Sequence, residues 1–301
     1  MKLHILGCYA ATPRTLTNPT AQVLEIKNHL FLIDCGEGTQ VQLRKNKIKF
    51  SRITHIFISH LHGDHFFGLP GLISTFRLLG REKELHIYGP EGIKQAITLL
   101  LKLGNSYTNY QLIFHELNSS EPELLFEDTK VEVSTLPLDH RVYTNGFLFR
   151  ELTGERKLNV EATAKYKIDK AYFSSIKQGK DVKLEDGSII SNAELSFDPP
   201  PPKKYAYCSD TAFNESLISL VEGVDLLYHE STFLETERHL AKKTKHSTAK
   251  QAATIARDAN VHQLILGHFS TRYKSIMPFK EEAIQIFSNV ELADDGKTFI
   301  L

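Results

Sequence analysis

Three imidazoles and one carboxylate fall within six residues of the chain, between His60 and His65. This segment follows an apolar run, residues 53–58, that predicts a buried strand, and it precedes helical spacing over residues 66–79. Its polar residues therefore lie on a strand-to-helix turn, where functional sites are often placed. Side chains of these types at this spacing are typical of a metal site, and a solvated histidine-rich turn is the alternative.

The turn presents its candidate ligands in two directions. His60 and His62 share one face of an extended segment and can bind one ion. Asp64 and His65 lie on the following turn and point elsewhere, so the pattern predicts two ions. Because imidazoles and a carboxylate are present and no thiolate is required, zinc is the first expectation, with manganese or cobalt as alternatives.

Three further candidate ligands each follow an apolar run at the predicted end of a strand, namely His140, Asp210 and His268. Taken singly, each residue also has an ordinary interpretation. His140 could be a surface histidine in a turn, Asp210 a helix N-cap, and His268 a buried core histidine. Taken together with the first cluster, three independent strand ends that carry ligand residues favour a shared metal site.

Composition indicates one large α/β domain rather than two small ones, since 301 residues with 41% hydrophobic content can bury a sizeable core. The three cysteines are widely separated, so a disulfide framework is not expected. Residues 1–7 are predicted to form an opening strand rather than a signal peptide. No apolar run approaches the roughly 20 residues of a membrane span, and a cytoplasmic protein without a membrane partner is expected.

The formal net charge is zero, which argues against a protein that coats a polyanion. Two local basic runs are nevertheless present: Arg44, Lys45, Lys47, Lys49 and Arg52, and then Lys242, Lys243, Lys245 and His246. Each could be an ordinary solvated face. Because they accompany a candidate metal site, they are also consistent with a substrate that carries phosphate groups.

Strand and helix signals alternate in both halves of the chain, which predicts two sheets with helices packed outside them. Strands are predicted at 2–8, 22–27, 29–34, 53–58, 84–88, 110–117, 146–152, 204–208, 225–228 and 262–266, with hairpins over 124–136 and 290–301. Helices are predicted at 38–46, 66–79, 92–104, 214–222 and 247–259, the last N-capped near Ser247, and Pro278 is expected to open another.

The pattern changes between Thr153 and about Pro202. Apolar periodicity fades there, lysines recur, and the segment closes on four consecutive prolines, residues 199–202. Such a stretch is poor core material and predicts a flexible arm with a stiff hinge at its end.

The ligand string and the strand-end residues resemble the ribonuclease Z family of the metallo-β-lactamase superfamily. The motifs that carry the resemblance are Gly36-Glu37-Gly38-Thr39-Gln40, Ser59 to His65, Tyr207-Cys208-Ser209-Asp210-Thr211, His229-Glu230-Ser231-Thr232-Phe233 and Lys245-His246-Ser247-Thr248. The resemblance implies an α/β (α+β) fold, with two mixed β-sheets sandwiched between helices in four αββα layers. It further implies one catalytic domain over residues 1–301 and a protruding arm over residues 153–198.

The resemblance also assigns roles to individual residues. One ion would be bound by His60, His62 and His140, and the other by Asp64, His65 and His268, with Asp210 bridging both. Asp64 would accept the proton of the attacking water, and Asp34 would orient a ligand imidazole. Glu230 and His246 would form a carboxylate-oriented imidazole that donates a proton to the departing 3′ oxygen. Alternatively, Glu230 caps a helix and His246 belongs to a solvated basic stretch.

By this resemblance the chain would be a zinc-dependent endoribonuclease that removes the 3′ trailer from precursor tRNA. It would leave a 3′-hydroxyl on the tRNA and a 5′-phosphate on the trailer, use two Zn²⁺ per subunit, and act as a homodimer whose lysine-rich arm binds tRNA. Two departures from the family pattern are Thr17, where a basic residue is usual and Arg14 is the candidate replacement, and the lack of a glycine-proline motif in the arm.

Two alternatives remain open at this stage. A hydrolase of small phosphodiesters or sulfate esters in the same fold would have no use for a lysine-rich arm of this length. A non-catalytic RNA-binding relative would be expected to have lost metal ligands, yet all seven candidates are present.

Overall fold

The computed structural model describes residues 1–12 and 14–301 and divides them into two compact units. The first unit comprises Met1–Arg150 and Lys203–Leu301, and the second comprises Glu151–Pro202. Pro13, one of the two prolines in the loop over residues 10–19 that was predicted to be irregular, lies outside the described residues. None of the helices described is both long and apolar enough to traverse a bilayer.

The strands are β1 (Lys2–Gly7), β2 (Ala21–Ile26), β3 (His29–Ile33), β4 (Ile53–Phe57), β5 (Leu85–Pro90), β6 (Leu112–Leu117), β7 (Leu124–Glu127), β8 (Val131–Pro137), β9 (Asn145–Glu151), β10 (Lys157–Leu158), β11 (Val182–Lys183), β12 (Ile189–Ile190), β13 (Ser196–Phe197), β14 (Lys204–Cys208), β15 (Leu226–Glu230), β16 (Gln263–Gly267), β17 (Val290–Leu292) and β18 (Thr298–Ile300). The α-helices are α1 (Thr39–Lys45), α2 (Gly63–Phe66), α3 (Leu69–Leu78), α4 (Ile93–Leu103), α5 (Val160–Lys165), α6 (Phe173–Lys177), α7 (Asn192–Leu195), α8 (Leu217–Leu220), α9 (Arg238–Thr244), α10 (Ala249–Asp258) and α11 (Met277–Ala283). Short 3₁₀ turns occur at Phe50–Arg52, Lys170–Tyr172 and Glu235–Glu237.

The first unit contains two seven-stranded mixed sheets. The order is β18-β1-β2-β3-β4-β5-β6 in the first sheet and β17-β16-β15-β14-β9-β8-β7 in the second. Strands β3 to β6 are parallel to one another, as are β14 to β17, whereas the pairs β18–β1, β1–β2, β2–β3, β9–β14 and β7–β8 are antiparallel. The two mixed sheets predicted from the sequence are therefore present.

Alternate residues of the central strands pack into different layers. Phe31 and Phe57 contribute to the core between the two sheets, whereas Leu32 and Ile56 pack against helices on the outer face of the first sheet. Because both faces of these strands are buried, they have nearly continuous apolar runs rather than a period of two. Each such side chain contributes about 1.5–3 kcal/mol through burial, which holds the strand ends in fixed positions.

The helix predicted over residues 66–79 is observed as α3, and a separate short helix, α2, covers the end of the His60–His65 turn, with a break around Gly68 between them. A Cβ atom at this glycine would lie 2.1 Å from the carbonyl oxygen of Gly36, so only glycine allows the helix to approach the β3 end. The Gly68 amide donates a hydrogen bond to the Cys35 carbonyl at 2.9 Å. The break therefore fixes the His60–His65 turn against the neighbouring strand.

Two sequence predictions were wrong in detail, and a third, the helix cap near Ser247, is displaced by one residue. Strands β17 and β18 do not form a hairpin, because β17 pairs with β16 in one sheet and β18 pairs with β1 in the other. The helix predicted over residues 214–222 is reduced to Leu217–Leu220. Helix α10 is capped by Thr248, whose side chain and Gln251 form a capping box, while the Ser247 hydroxyl donates to the Thr211 carbonyl.

The second unit has its own small hydrophobic cluster, formed by Ile168, Ile176, Val182 and Leu195. Three short helices and two two-stranded sheets, β10-β13 and β11-β12, surround it. The segment is thus folded, although its sequence suggested poor core material. Its role as a flexible tRNA-binding arm over residues 153–198 stays a prediction.

Burial of an imidazole in the first sheet predicts a pH-dependent stability. His55 stacks on His86 at a centroid distance of 4.7 Å and contacts the ring of Phe126 at 4.8 Å. Burial, with smaller effects from His86, His29, His115 and Arg81, lowers the pKa of His55 to about 3.

Since the unfolded chain binds a proton near pH 6.5 and the folded chain does not, stability is lost as the pH falls from about 6.5 towards 3. Because His55 is only partly buried, solvent screening reduces the effect of its pKa shift on stability. We therefore expect this group to contribute about 1 kcal/mol less to the free energy of unfolding at pH 5 than at pH 7.5. Urea unfolding of the wild type and of His55→Asn at both pH values measures the difference. An equal pH dependence in the two proteins would contradict this assignment.

Candidate metal centre

The candidate residues lie where strands of both sheets end. Asp34 follows β3, the segment Ser59–His65 follows β4, His140 follows β8, Asp210 follows β14, Glu230 ends β15 and His268 follows β16. Since the strand ends are held by the cores of the two sheets, residues up to 234 positions apart in the sequence, Asp34 and His268, come together in one place.

The seven predicted ligands form two adjacent groups. Ligand atoms of His60, His62, His140 and Asp210 all lie within 4.8 Å of one another. The same limit holds for a second group, Asp64, His65 and His268. This division matches the two-ion assignment predicted from the resemblance, and that each residue binds a metal stays a prediction.

Asp210 lies between the two groups and directs one carboxylate oxygen towards each. Its Oδ2 lies 3.4 Å from His60 Nε2 and 3.8 Å from His140 Nε2. Its Oδ1 lies 3.4 Å from His65 Nε2 and 3.1 Å from His268 Nε2. A carboxylate in this position can be shared by two cations.

Asp34 holds the first-sheet side of the centre through a buried hydrogen-bond network. Its Oδ2 accepts bonds from His65 Nδ1 at 2.7 Å, from the Ser59 hydroxyl at 2.8 Å and from the Tyr207 hydroxyl at 2.6 Å. The Ser59 oxygen in turn accepts from His60 Nδ1 at 3.0 Å. With Nδ1 protonated and bonded, His60 and His65 each turn Nε2 into the centre.

The histidines of the second sheet are oriented in the same way. His140 Nδ1 donates to the Lys245 carbonyl at 2.8 Å, and His268 Nδ1 donates to the Thr232 hydroxyl at 2.9 Å. Lys245 and His268 have positive φ angles, 55° and 59°, as does Asp34 at 55°. Such values are uncommon outside glycine, and strain of this kind concentrates at functional sites.

The pKa directions suit a set of cation ligands. Burial lowers the pKa of His60 to about 4 and lowers the pKa of His62 and His140, so these imidazoles are neutral near pH 7. For His65, burial also lowers the pKa, but Asp210, Asp64 and Asp34 outweigh it and raise the pKa well above its usual value. Three carboxylates around one imidazole make a negatively charged position that a cation would neutralise.

The donor set fits divalent metal ions. Among the described residues, two buried atoms of the centre, His140 Nε2 and Asp210 Oδ1, have no hydrogen-bond partner. Buried polar atoms are normally satisfied, so an orphaned nitrogen and an orphaned oxygen in one buried cluster need a further partner. His65 Nε2 and His268 Nε2 also face each other at 3.3 Å with their Nδ1 atoms engaged elsewhere. Imidazole nitrogen and carboxylate oxygen are ligands that zinc, manganese and cobalt accept.

Glu230 and His246 form a buried pair beside these groups. His246 Nδ1 donates to Glu230 Oε1 at 2.8 Å, and the other carboxylate oxygen accepts from the Thr232 hydroxyl at 2.8 Å. Burial lowers the pKa of His246, but Glu230 outweighs it and raises the pKa to about 9. Glu230 therefore does not serve merely as a helix cap, and His246 is not simply part of a solvated basic run.

Several residues of the site were not predicted from the sequence. Tyr207 resembles an ordinary core residue of β14, and Thr232 resembles a loop hydroxyl, yet each bonds a side chain of the centre. Arg141 is exposed and lines the site cavity of about 380 Å³ together with His62 and His246. Its position directly after a predicted ligand was the signal available in the sequence.

The cavity is also lined by Ala10, Ala11 and Thr12, from the loop that carries Arg14 and Thr17. The Ala11 amide donates to Asp64 Oδ2 at 2.7 Å, which fixes the carboxylate predicted to accept the water's proton. Arg14, the candidate replacement for the missing basic residue at Thr17, donates to the Tyr273 carbonyl at 3.3 Å. The structure does not bring Arg14 into the set of residues that line the cavity.

Curated relatives and solved structures match nearly the full chain, and a family model matches its first half. Ribonuclease Z of Bacteroides fragilis is 47% identical over 98% of this chain and 97% of its own length. The crystal structure of human tRNase Z, short form, superposes with a TM-score of 0.72 at 28% identity, covering 100% of this chain and 99% of that one. The metallo-β-lactamase fold protein YhfI from Bacillus subtilis has a TM-score of 0.69 at 20% identity, covering 99% and 98%. A family model described as Anti-Pycsar protein Apyc1 matches residues 1–153.

Proposed function

The chain belongs to the ribonuclease Z family, and on that premise we propose that it is an endoribonuclease that removes the 3′ trailer from precursor tRNA. Cleavage would leave a 3′-hydroxyl on the tRNA and a 5′-phosphate on the trailer. The observation that carries the proposal is the position of Asp210 between two ligand groups, with the Glu230–His246 pair directly beside them.

Two zinc ions per subunit are part of the proposal, with manganese or cobalt as possible replacements. One ion would be held by His60, His62 and His140, and the other would be held by Asp64, His65 and His268. Asp210 would contribute to holding both ions. When bound, such ions supply Lewis-acid activation of water and neutralise charge that develops on the phosphodiester.

The chain's own residues would manage the protons. The Ala11 amide fixes the position of Asp64. Burial raises the pKa of Asp64, but His65 and His268 outweigh it and lower the pKa. Asp64 therefore remains a carboxylate that can accept the water's proton. His246, protonated and held by Glu230, would donate a proton to the departing 3′ oxygen. Arg141, exposed at the cavity mouth, would contact a phosphate that flanks the cleaved bond.

A direct assay tests the proposed function. We expect the purified chain to cut a 3′-extended precursor tRNA near the acceptor end, and a chelator to abolish the cut because the ligand groups would be emptied. Gel analysis of end-labelled RNA would identify the position and the 3′-hydroxyl. A mature tRNA without a trailer serves as the control, and a cut that persists in chelator would contradict the metal-dependent mechanism.

We expect the second unit to contribute affinity for tRNA rather than chemistry. Six of its lysines, at 157, 165, 167, 170, 180 and 183, are exposed, as phosphate contacts require. Arg150 and Lys204 are directly opposite each other in the β9–β14 pair. Replacing residues 151–202 with Asn-Gly would thus close a three-residue hairpin loop that includes Lys203 and leave both sheets intact.

This deletion should raise KM for precursor tRNA at least about 10-fold, since several phosphate contacts are lost. Hydrolysis of bis(p-nitrophenyl) phosphate should change less than about twofold, because the ligand groups and the Glu230–His246 pair lie in the first unit. Steady-state kinetics on both substrates provide the measurement. Equal losses on the two substrates would refute the role of the arm.

Two further features complete the proposal. The relatives are bacterial ribonucleases, and a tRNA precursor is an intracellular substrate, so a cytoplasmic location is expected. A homodimer, in which the arm of one subunit serves the centre of the other, is expected by analogy with the family. Light scattering would measure the number of subunits. Mixing an arm-deleted subunit with a His246→Ala subunit would test whether the arm acts across the dimer, because only such action restores cleavage.

A further inference from the structure

A second cavity lies at the opposite end of the first sheet from the candidate metal centre. Its volume is about 1030 Å³, compared with about 380 Å³ at the centre. It is bordered by the last turns of α1 and α3 and by the starts of β3 and β4. Because β3 runs from His29 to the Asp34 end at about 3.3 Å per residue, the two cavities are separated by about 16 Å or more.

The side chains around this cavity are predominantly cationic. Six basic residues line it, Arg44, Lys47, Lys49, Arg52, Arg81 and Lys83, against one acid, Glu82. The chain as a whole has 36 basic and 36 acidic residues, so this is a local concentration of charge. We call it the basic cleft.

Most of these charges are not neutralised. Within residues 1–12 and 14–301, no carboxylate lies at ion-pair distance from Arg44, Lys47, Lys49 or Lys83, whereas Arg52 donates to Glu25 at 3.0 Å. The three lysines are exposed. Four free cations around one concavity favour an anionic ligand over a solvated face, because like charges gathered together repel one another.

Buried groups make the cleft a built feature rather than a loose surface. Arg81 is buried and donates to the carbonyls of Ile53, Lys83 and Glu84, which fixes the strand-start loops on that side. The half-buried ring of Phe50 has the Arg44 guanidinium 5.3 Å from its centroid and packs edge-on against Phe76. Cations beside an aromatic ring are the groups with which proteins contact nucleic-acid strands.

We propose that the basic cleft binds the phosphate backbone of the precursor RNA whose 3′ end is processed at the metal centre. The proposal rests on the proposed function. The basic residues of the cleft come from three separate segments: α1, the loop after it and the loop before β5. Charges spread in this way suit a chain of phosphates better than a single phosphate group. An RNA substrate that extends beyond the acceptor end can reach a site at this distance, whereas a small phosphodiester cannot.

The test is a triple charge reversal, Lys47→Glu with Lys49→Glu and Lys83→Glu, compared with the same three positions changed to arginine. We expect the reversal to raise Kd for precursor tRNA at least about 10-fold and to reduce the slope of log K against log salt by about 2 to 3, as loss of three phosphate contacts requires. Turnover at saturating RNA and hydrolysis of bis(p-nitrophenyl) phosphate should not change. The arginine variant should match the wild type.

Fluorescence anisotropy with labelled RNA at several salt concentrations measures Kd separately from cleavage. An unchanged Kd and salt slope in the folded reversal variant would overturn the proposal, as would equal losses on RNA and on the small substrate. If light scattering shows that the reversal variant has a different number of subunits per particle, the cleft would be reassigned to a contact between subunits. Binding of inorganic pyrophosphate with no effect on RNA affinity would reassign it to a small ligand.

If charge reversal prevents folding, the triple glutamine variant gives the same comparison with a smaller expected change of about fivefold in Kd. The two proposals fail separately. A wild type that binds precursor tRNA through the cleft but does not cut it would contradict the proposed function and leave the cleft assignment in place.

Discussion

Changing Asp210 to asparagine should lower the turnover of precursor tRNA by about 10³-fold or more and weaken the binding of both metal ions. The reason is that one carboxylate faces both ligand groups, with His268 Nε2 3.1 Å from one oxygen and His60 Nε2 3.4 Å from the other. An amide supplies one oxygen and no charge, so one group loses its shared ligand. Loss of about 4 kcal/mol of transition-state stabilisation corresponds to that factor in rate.

Metal content, measured by atomic emission after dialysis against a weak chelator, distinguishes a bridging ligand from an ordinary one. His62→Ala should lose about one equivalent of metal, because this residue belongs to a single group. Asp210→Asn should lose more than one. Asp258→Asn, which alters an exposed carboxylate on α10, is the matched control and should retain full metal and activity. Loss of a single equivalent in Asp210→Asn would show that the carboxylate does not bridge.

The ligand residues could be predicted because each follows a strand, and a strand end is visible locally in the sequence. The split of Asp210 between two groups was not visible in the same way. It depends on β14 lying between β9 and β15, a pairing set by residues far apart in the chain. The sequence-based division into two groups therefore came from the turn at His60–His65 and from the family resemblance, and the geometry agrees with it.

The residues that orient the ligands were missed for a related reason. Tyr207 lies in a buried strand, so its side chain is indistinguishable from core until its hydroxyl is found 2.6 Å from Asp34. Asp34 itself was identified through the family resemblance and because it lies in a strand-end turn, where an acid can brace the neighbouring ligand turn. A hydroxyl on an aromatic ring gives no comparable signal, because aromatic residues are common in strands.

The errors in the fold have the same physical origin. The Asp295-Gly296 turn is a good local signal for a hairpin, but β17 and β18 gain more by extending two different sheets. The second unit is made of elements only two to six residues long, which is too short for periodicity to be detected. Its four-residue cluster, from Ile168 to Leu195, forms only when those short elements fold together.

Changing His246 to alanine should lower turnover of precursor tRNA by about 10²- to 10⁴-fold, the range expected for loss of a general acid. The imidazole lies 2.8 Å from a fully buried Glu230 carboxylate, which keeps it protonated and oriented. KM and metal content should stay close to the wild-type values, because the seven predicted ligands are untouched. His239→Ala, which removes an exposed histidine on α9, is the matched control and should have no effect.

The choice of leaving group separates proton donation from a purely structural role. The ribose 3′ oxygen needs a proton to depart, whereas p-nitrophenolate leaves without one. His246→Ala should therefore cut bis(p-nitrophenyl) phosphate at nearly the wild-type rate while failing on precursor tRNA. Equal losses on the two substrates would show that His246 supports the structure of the centre, and loss of metal would place it among the ligands beside Asp210 and His268, whose ligand atoms lie within 4.8 Å of its own.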